Sequence, residues 1–266
     1  MNHVPTLIKQ YNNMPNILAL IPARMGSSRF PGKPMTQILG KPMIGHVYEN
    51  VSKCTALIDT VVATCDNEIV DYIESIGGKA VMTSNLHERA SDRCAEALAF
   101  LEKQNNIIYD IVVMVQGDEP MTCSEMIEES ISALLSDSTV VVSNLLGKIE
   151  TTEEFEDRNC IKVVCDQKSN ALYFSREPIP TRSRSTDIPM GKQVCVISFT
   201  RNFLLEYIKM PPTPLEIAES VDMMRVLENG YKVKMVPTNY ESYSIDVDDD
   251  KKRVEKYLSN KIHKQN

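Results

Sequence analysis

The sequence predicts an α/β fold, a mostly parallel sheet with helices on both faces, and three observations predict it. Apolar, β-branched runs alternate with longer helical patterns through the first 120 residues. The runs are continuously apolar rather than alternating, as strands buried on both faces must be. The chain has 266 residues, 42% hydrophobic and 24% charged, which suits one domain with an ample core.

The elements follow in order. Residues 1–15 are polar, without an apolar core of signal-peptide length, and are expected to form an N-terminal extension. "NILALIPA" predicts a strand, and "PMIGHVYENVSKC" a helix with Pro42 in its first turn. "DTVVATC" predicts a strand. "NEIVDYIESIGG" predicts a helix with Asp66 as N-cap and Gly77-Gly78 as its stop. "KAVMT", then "SDRCAEALAFLEKQ", then "DIVVMV" continue as strand, helix and buried strand, the last ending at "QGDEP".

After residue 137 the rhythm changes. "STVVVSNLL", "CIKVVCD", "ALYFS" and "QVCVISF" predict strands without a full helix between successive pairs. "REPIPTRSRSTDIPMGK" predicts a surface loop. Residues 138–210 therefore read as a mixed β extension that packs on a substrate or a second subunit. "TPLEIAESVDMMRVLENG" predicts one amphipathic helix ending at Gly230. "YKVKMV" and "ESYSIDV" predict the last strands, "DDDKKRVEKYL" a closing helix, and 259–266 a tail.

A net charge of −7 disfavours a nucleic-acid partner, which needs a basic footprint. No segment is long and apolar enough to span a bilayer, so no membrane partner is expected. The seven cysteines are scattered, without CxxC spacing, and point to free thiols in a reducing cytoplasm.

Three stretches carry chemistry. "IPARMGSSRFPGKP" leaves the first strand at its carboxyl end, where ligands of open parallel sheets sit. Backbone N–H groups around Gly26, Ser27 and Ser28 can form an anion nest, with Arg24, Arg29 and Lys33 to neutralise a polyphosphate. The loop is neither a Walker A sequence nor a GxGxxG fingerprint, and its bland alternative is a solvated basic turn. In "VMVQGDEP", Asp118 stands where a Mg²⁺ is held beside phosphate oxygens, or simply ends a strand in a turn. In "YSIDVDDD", the last three acids suit a helix N-terminus, whereas Asp246 is the better candidate for a second metal ligand.

Taken together, "IPARMGSSRFPGKPM", "VVATCDNEIV", "VQGDEPM", "ALYFSREPIP" and the segment from "LEIAESVDMMRVLENG" to "SIDVDDDKKRV" resemble the 3-deoxy-manno-octulosonate (Kdo) cytidylyltransferase family, in order over residues 16–258. The resemblance implies a nucleotidyltransferase (Rossmann-like) domain, Mg²⁺, CTP, a sugar-acid acceptor and a homodimer formed through the later sheet extension. It puts Ala23, Arg24, Gly26, Ser27, Ser28, Arg29 and Lys33 on the triphosphate loop, Gln116 at the nucleoside and Arg93 near the nucleotide. It implies Asp118 and Asp246 as metal ligands, with Arg24, Lys33 and both aspartates catalytic. Arg176 would meet the acid's carboxylate, with Glu219 and Gln193 on the acceptor side. The bland counterparts are an Arg93 paired along its own helix with Glu96 or Glu88, a solvated Arg176, and an outward-facing Glu219.

Departures from the family pattern spare the phosphate and metal positions; one lies in a loop expected close to the nucleotide and several lie near the sugar. "HERASDR" has Arg89-Ala90 where the family typically reads Ser-Gly. "QVCVISFT" has Gln193 for a histidine, Ile197 for a tyrosine and Thr200 for an arginine, and Met223 stands for a glutamine. The expected reaction is therefore CMP transfer from CTP to a Kdo-like acid. Transfer to another acid, such as an amino-Kdo, a nonulosonic acid or a phosphonate, and a silent CTP-binding paralogue are the alternatives. An NAD-dependent dehydrogenase lacks its glycine fingerprint here.

Overall fold

The computed structural model describes residues 14–26, 30–184, 190–245 and 248–265, with side chains described except at 248, 249 and 260–265. From the first strand the chain runs β1 (Ile17–Ala23), β2 (Gln37–Ile38), β3 (Lys41–Pro42), α1 (Met43–Val51), β4 (Asp59–Thr64) and α2 (Asn67–Ser75). It continues β5 (Ala80–Met82), α3 (Ala90–Asn105), β6 (Ile111–Val115), α4 (Ser124–Ser136), β7 (Val142–Lys148) and α5 (Thr152–Glu156). The last part is β8 (Lys162–Cys165), β9 (Ala171–Ser175), β10 (Gly191–Thr200), α6 (Arg201–Tyr207), α7 (Pro214–Glu219), α8 (Met223–Glu228), β11 (Lys234–Pro237) and α9 (Asp248–Gln265).

The main sheet has the order β11-β7-β10-β6-β1-β4-β5. β1 pairs parallel with both β4 and β6, and is buried along its whole length. Because its side chains alternate, Leu18 and Leu20 pack on one face with α3, α6 and α8. Ile17, Ala19 and Ile21 pack on the other with α1, α2 and α4. This is the predicted parallel sheet covered on both faces. β10 is antiparallel to β6 and β7, and β8 and β9 continue it as an antiparallel arm.

The chain goes from β1 outward to β4 and β5, then returns to place β6 on the other flank of β1. That reversal opens a crevice at the carboxyl ends of β1 and β6, the expected place for a ligand. A close approach seals its floor: a Cβ on Gly117 would lie 2.9 Å from the Pro22 carbonyl oxygen, so only glycine lets the β6 exit lie against β1.

Three local expectations are corrected. The span expected as one helix, 213–230, is two helices, α7 and α8, because Ser220 turns left-handed at φ 52°. "ESYSIDV" forms no strand over its described residues 241–245, since the Ile245 N–H goes to the Asp118 carbonyl rather than to a strand. Asp66 occupies the α2 N-cap position but makes no side-chain cap; its carboxylate accepts the Met25 N–H at 2.8 Å instead. α4 and α6 are helices that the sequence patterns did not call.

Candidate active site

The loop after β1 is tied at both ends. Gly32, at φ 74°, sends its N–H back to the Met25 carbonyl at 3.1 Å, and Asp66 holds the Met25 N–H. Gly32 needs its freedom because an L side chain rarely adopts that φ. The loop thus delivers Lys33, 8% exposed, to Asp118 on the loop after β6, with Nζ 2.6 Å from Oδ2. Arg24 is exposed beside it, with no partner among the described residues. Ser27, Ser28, Arg29 and Asp246 lie outside the described residues. Gly26 is open, with nothing within 4 Å of where a Cβ would stand.

Ala23 closes β1 opposite Thr64 of β4. Gln116, half-buried, begins the turn after β6: its N–H goes to the Cys195 carbonyl and its carbonyl receives the Glu119 N–H. Arg93 is 3% exposed and does not pair along its own helix. Its Nη1 donates to the Thr83 hydroxyl, which donates on to the Thr64 carbonyl, so the guanidinium sits at the carboxyl ends of β4 and β5. Its Nη2 is buried without a partner among the described residues. A buried unpaired donor at a ligand crevice suits an oxygen supplied by a ligand.

Sequence reasoning passed over Glu119. It is 3% exposed, and burial and the Asp118 charge push its pKa up to about 7, against the Ser242 hydroxyl, the Cys195 N–H and Lys192. The Ser242–Glu119 bond and the Ile245–Asp118 bond together dock residues 242–245, the approach to Asp246, on the loop that carries Asp118. The only sequence signal was the second acid of "QGDEP".

Beside this loop a cleft of about 480 Å³ opens, lined by Glu119, Glu154, Lys192, Gln193 and Tyr243 among others. Lys192 pairs with Glu154 and lies 4.9 Å from the centre of the Tyr243 ring. Gln193, the predicted acceptor-side residue, is on this wall. Arg176 and Glu219 are brought together but do not line the cleft. The Arg176 guanidinium bonds the carbonyls of Glu219, Arg158 and Ser220 at 2.6, 2.9 and 3.4 Å. Glu219 accepts bonds from Tyr173, Ser175 and the Arg176 N–H, so it is not the outward-facing acid of the bland alternative.

The Asp118 position fits Mg²⁺. It offers a hard carboxylate oxygen, 30% exposed, at a point where a lysine ammonium already settles. Magnesium takes only one or two carboxylates beside phosphate oxygens and water. The described residues hold no group of three His, Cys, Asp or Glu that could cage a metal, and this chemistry needs none.

Comparison with known proteins gives this geometry a family. A family model described as Cytidylyltransferase matches residues 18–235. A 3-deoxy-manno-octulosonate cytidylyltransferase of Geobacter metallireducens is 39% identical over 254 residues, covering 91% of this chain and 98% of the relative. The chain belongs to the 3-deoxy-manno-octulosonate cytidylyltransferase family. A second such relative, from Geotalea uraniireducens, is 42% identical over 90% of this chain and 97% of its own length. A solved CMP:2-keto-3-deoxy-manno-octonic acid synthetase, complexed with CTP, superposes with a TM-score of 0.82 at 32% identity, covering 92% of this chain and 99% of the other. The resemblance, the nucleotidyltransferase-like α/β fold and the enzyme class read from the sequence are borne out.

Membership sorts the departures. Ile197 and Met223 are buried in the core on one face of the sheet, and Thr200 caps α6 by accepting the Phe203 N–H. Arg89 reaches across to α7 and α8, 3.6 Å from Glu216 and 3.2 Å from Asp222. Gln193 alone among these departures lines the cleft.

Proposed function

We propose that this chain transfers CMP from CTP to 3-deoxy-manno-octulosonate or a closely related sugar acid, releasing pyrophosphate. The observation that carries the reading is the Lys33–Asp118 pair at 2.6 Å, set at the point where strand order reverses between β1 and β6. Lys33 and Arg24, with Arg29 and the backbone of Gly26, Ser27 and Ser28, hold the triphosphate and stabilise charge on the leaving pyrophosphate. Gln116 and the free Nη2 of Arg93 take the nucleoside.

Asp118 and Asp246 are the carboxylates that would hold Mg²⁺, which when bound neutralises phosphate charge and lowers the pKa of the attacking hydroxyl. The protein's own part is positioning, so that a hydroxyl of the acid faces the α-phosphorus opposite the pyrophosphate. Arg176 uses three of its five N–H groups on carbonyls and offers the other two to the acid's carboxylate, with Glu219 fixing it in place. The 138–210 region is proposed as the homodimer contact, consistent with Leu172 of β9 at 61% exposed. Residues 16–258 act as one domain. No helix among the described residues is long and apolar enough to cross a membrane, and the seven cysteines are free, in keeping with the proposed cytoplasmic setting.

The test is pyrophosphate release with Mg²⁺, CTP and Kdo, run beside the other nucleoside triphosphates and other sugar acids. Release that needs both CTP and Kdo is expected. Release with CTP only when another acid is supplied replaces the acceptor, and CTP binding without release under any acid overturns the enzymatic reading.

A further inference from the structure

β10 breaks register against β7 between Val194 and Ile197, so Cys195 and Val196 form a bulge at the edge of the cleft. Bulges beside active sites re-aim neighbouring side chains and leave ladder carbonyls unpaired. Here the carbonyls are collected by one residue, Asn144 of β7, which is fully buried. Its Nδ2 donates to the carbonyls of Val194, Val196 and Leu145 at 2.7, 3.3 and 3.3 Å. Three carbonyl oxygens around one end of the amide fix its orientation, because the flipped amide would turn its own oxygen onto them.

The consequence passes to Gln193. Asn144 Oδ1 can only accept, and it accepts from Gln193 Nε2 at 2.7 Å. The Gln193 amide is thereby fixed as well, with one of its two Nε2 hydrogens given to Asn144 and Oε1 without a donor among the described residues. Gln193 lines the cleft. We propose that Asn144 is a positioning residue which sets the polarity of Gln193, so that the site selects an acceptor presenting a hydrogen-bond donor, a hydroxyl or an ammonium, at that point. A carboxylate, ether or fluorine there meets a like-polarity oxygen and is rejected. The inference rests on the sugar-acid reading of the preceding section and adds the group chemistry that this wall of the cleft recognises.

The experiment uses Kdo and a set of analogues in which each hydroxyl other than the attacking one is replaced in turn by fluorine, which can accept but not donate. With the wild-type protein, one analogue is expected to lose about five- to tenfold in kcat/KM, the size of one neutral hydrogen bond. Gln193→Met keeps the length and removes the oxygen. It should lower kcat/KM for Kdo by a similar factor, leave KM for CTP unchanged, and no longer distinguish that one analogue. Asn144→Ala should do the same through a freed Gln193 amide, and the double variant should be no worse for acceptor KM than Gln193→Met alone. Should Asn144→Ala fail to fold, the Gln193→Met series carries the test unaided. An amino group in place of the identified hydroxyl separates the two donors: retained or improved turnover in the wild type assigns the ammonium as well, and a loss restricts the site to a hydroxyl.

A wild type that turns over every fluorinated analogue alike, or a Gln193→Met that loses all of them equally, overturns the proposal while leaving cytidylyl transfer intact. No pyrophosphate from any acid with CTP overturns the sugar-acid reading and this inference with it.

Discussion

The crevice between β1 and β6 and the arm around α7 and α8 hold their charge in opposite ways. Among the described residues, Arg24 at the crevice is exposed without a partner, Arg93 at the neighbouring carboxyl ends of β4 and β5 keeps a buried Nη2 unpaired, and Asp118 remains 30% exposed behind its lysine. Around α7 and α8 the charges are closed on one another. Arg225 meets Glu216 through two bonds, at 2.7 and 2.6 Å, with both side chains almost fully buried, and Arg89 extends the network to Glu216 and Asp222. Lys162, fully buried, spends its ammonium on the carbonyls of Asp157 and Arg176. One region leaves its charge open to a ligand, as the proposed triphosphate site requires; the other closes its charges on one another.

The comparison can be broken by substitution. In the closed region, Arg225→Ala strips buried Glu216 of its two guanidinium bonds and leaves it Arg89 at 3.6 Å, and should cost up to about 3–5 kcal/mol of stability, read as a lower Tm with little change in KM for CTP. In the open region, Lys33→Met should cost about 2.7–4 kcal/mol of transition-state stabilisation, a fall of roughly 10²–10³ in kcat, while Tm changes little. If the two variants exchange signatures, the division of labour fails.

Glu119, next to Asp118 at the crevice, gives that side of the contrast a pH dependence. Its folded value of about 7 lies above the ordinary 4.5, so between these values the folded protein keeps a proton that the unfolded chain has lost. Stability therefore falls as pH rises from about 4.5 to about 7 and levels off above. Glu119→Gln should flatten that part of the Tm–pH profile in metal-free protein; parallel profiles would remove Glu119 from the linkage. The smallest effect belongs to the Lys148–Glu150 pair, 74% and 64% exposed, where Lys148→Ala should move stability by less than about 0.5 kcal/mol in chemical denaturation.

The sequence was most readable where interactions are local. β1, β4 and β6 declared themselves because strands buried on both faces must be continuously apolar, and the loops at their carboxyl ends inherited a known place in the topology. α4 carries one polar residue on an otherwise apolar inner face, Ser130, hydrogen-bonded to Ser198, and Cys123 provides no side-chain cap to mark its start. The break between α7 and α8 falls on Ser220, a residue that announces no left-handed turn, with no glycine or proline between Leu215 and Asn229. Residues 241–245 had a strand-like composition, but their hydrogen bonds go to Glu119 and Asp118, more than 120 positions earlier. Arg89 could be seen to depart from the family, yet its destination on Asp222, 133 positions away, could not. Short-range pattern picked out the loop proposed for the phosphates; the long-range polar pairs around α7 and α8 leave no comparable mark.

The most direct measurement compares Asp118→Asn with wild type, reading CTP affinity by calorimetry and pyrophosphate release with CTP, Kdo and Mg²⁺. Turnover lower by about a thousandfold or more, with CTP affinity changed only a few-fold, is the predicted result for a carboxylate whose contribution is made in the transition state. Equal, mild effects on binding and turnover would contradict the placement of the reaction at the Lys33–Asp118 pair.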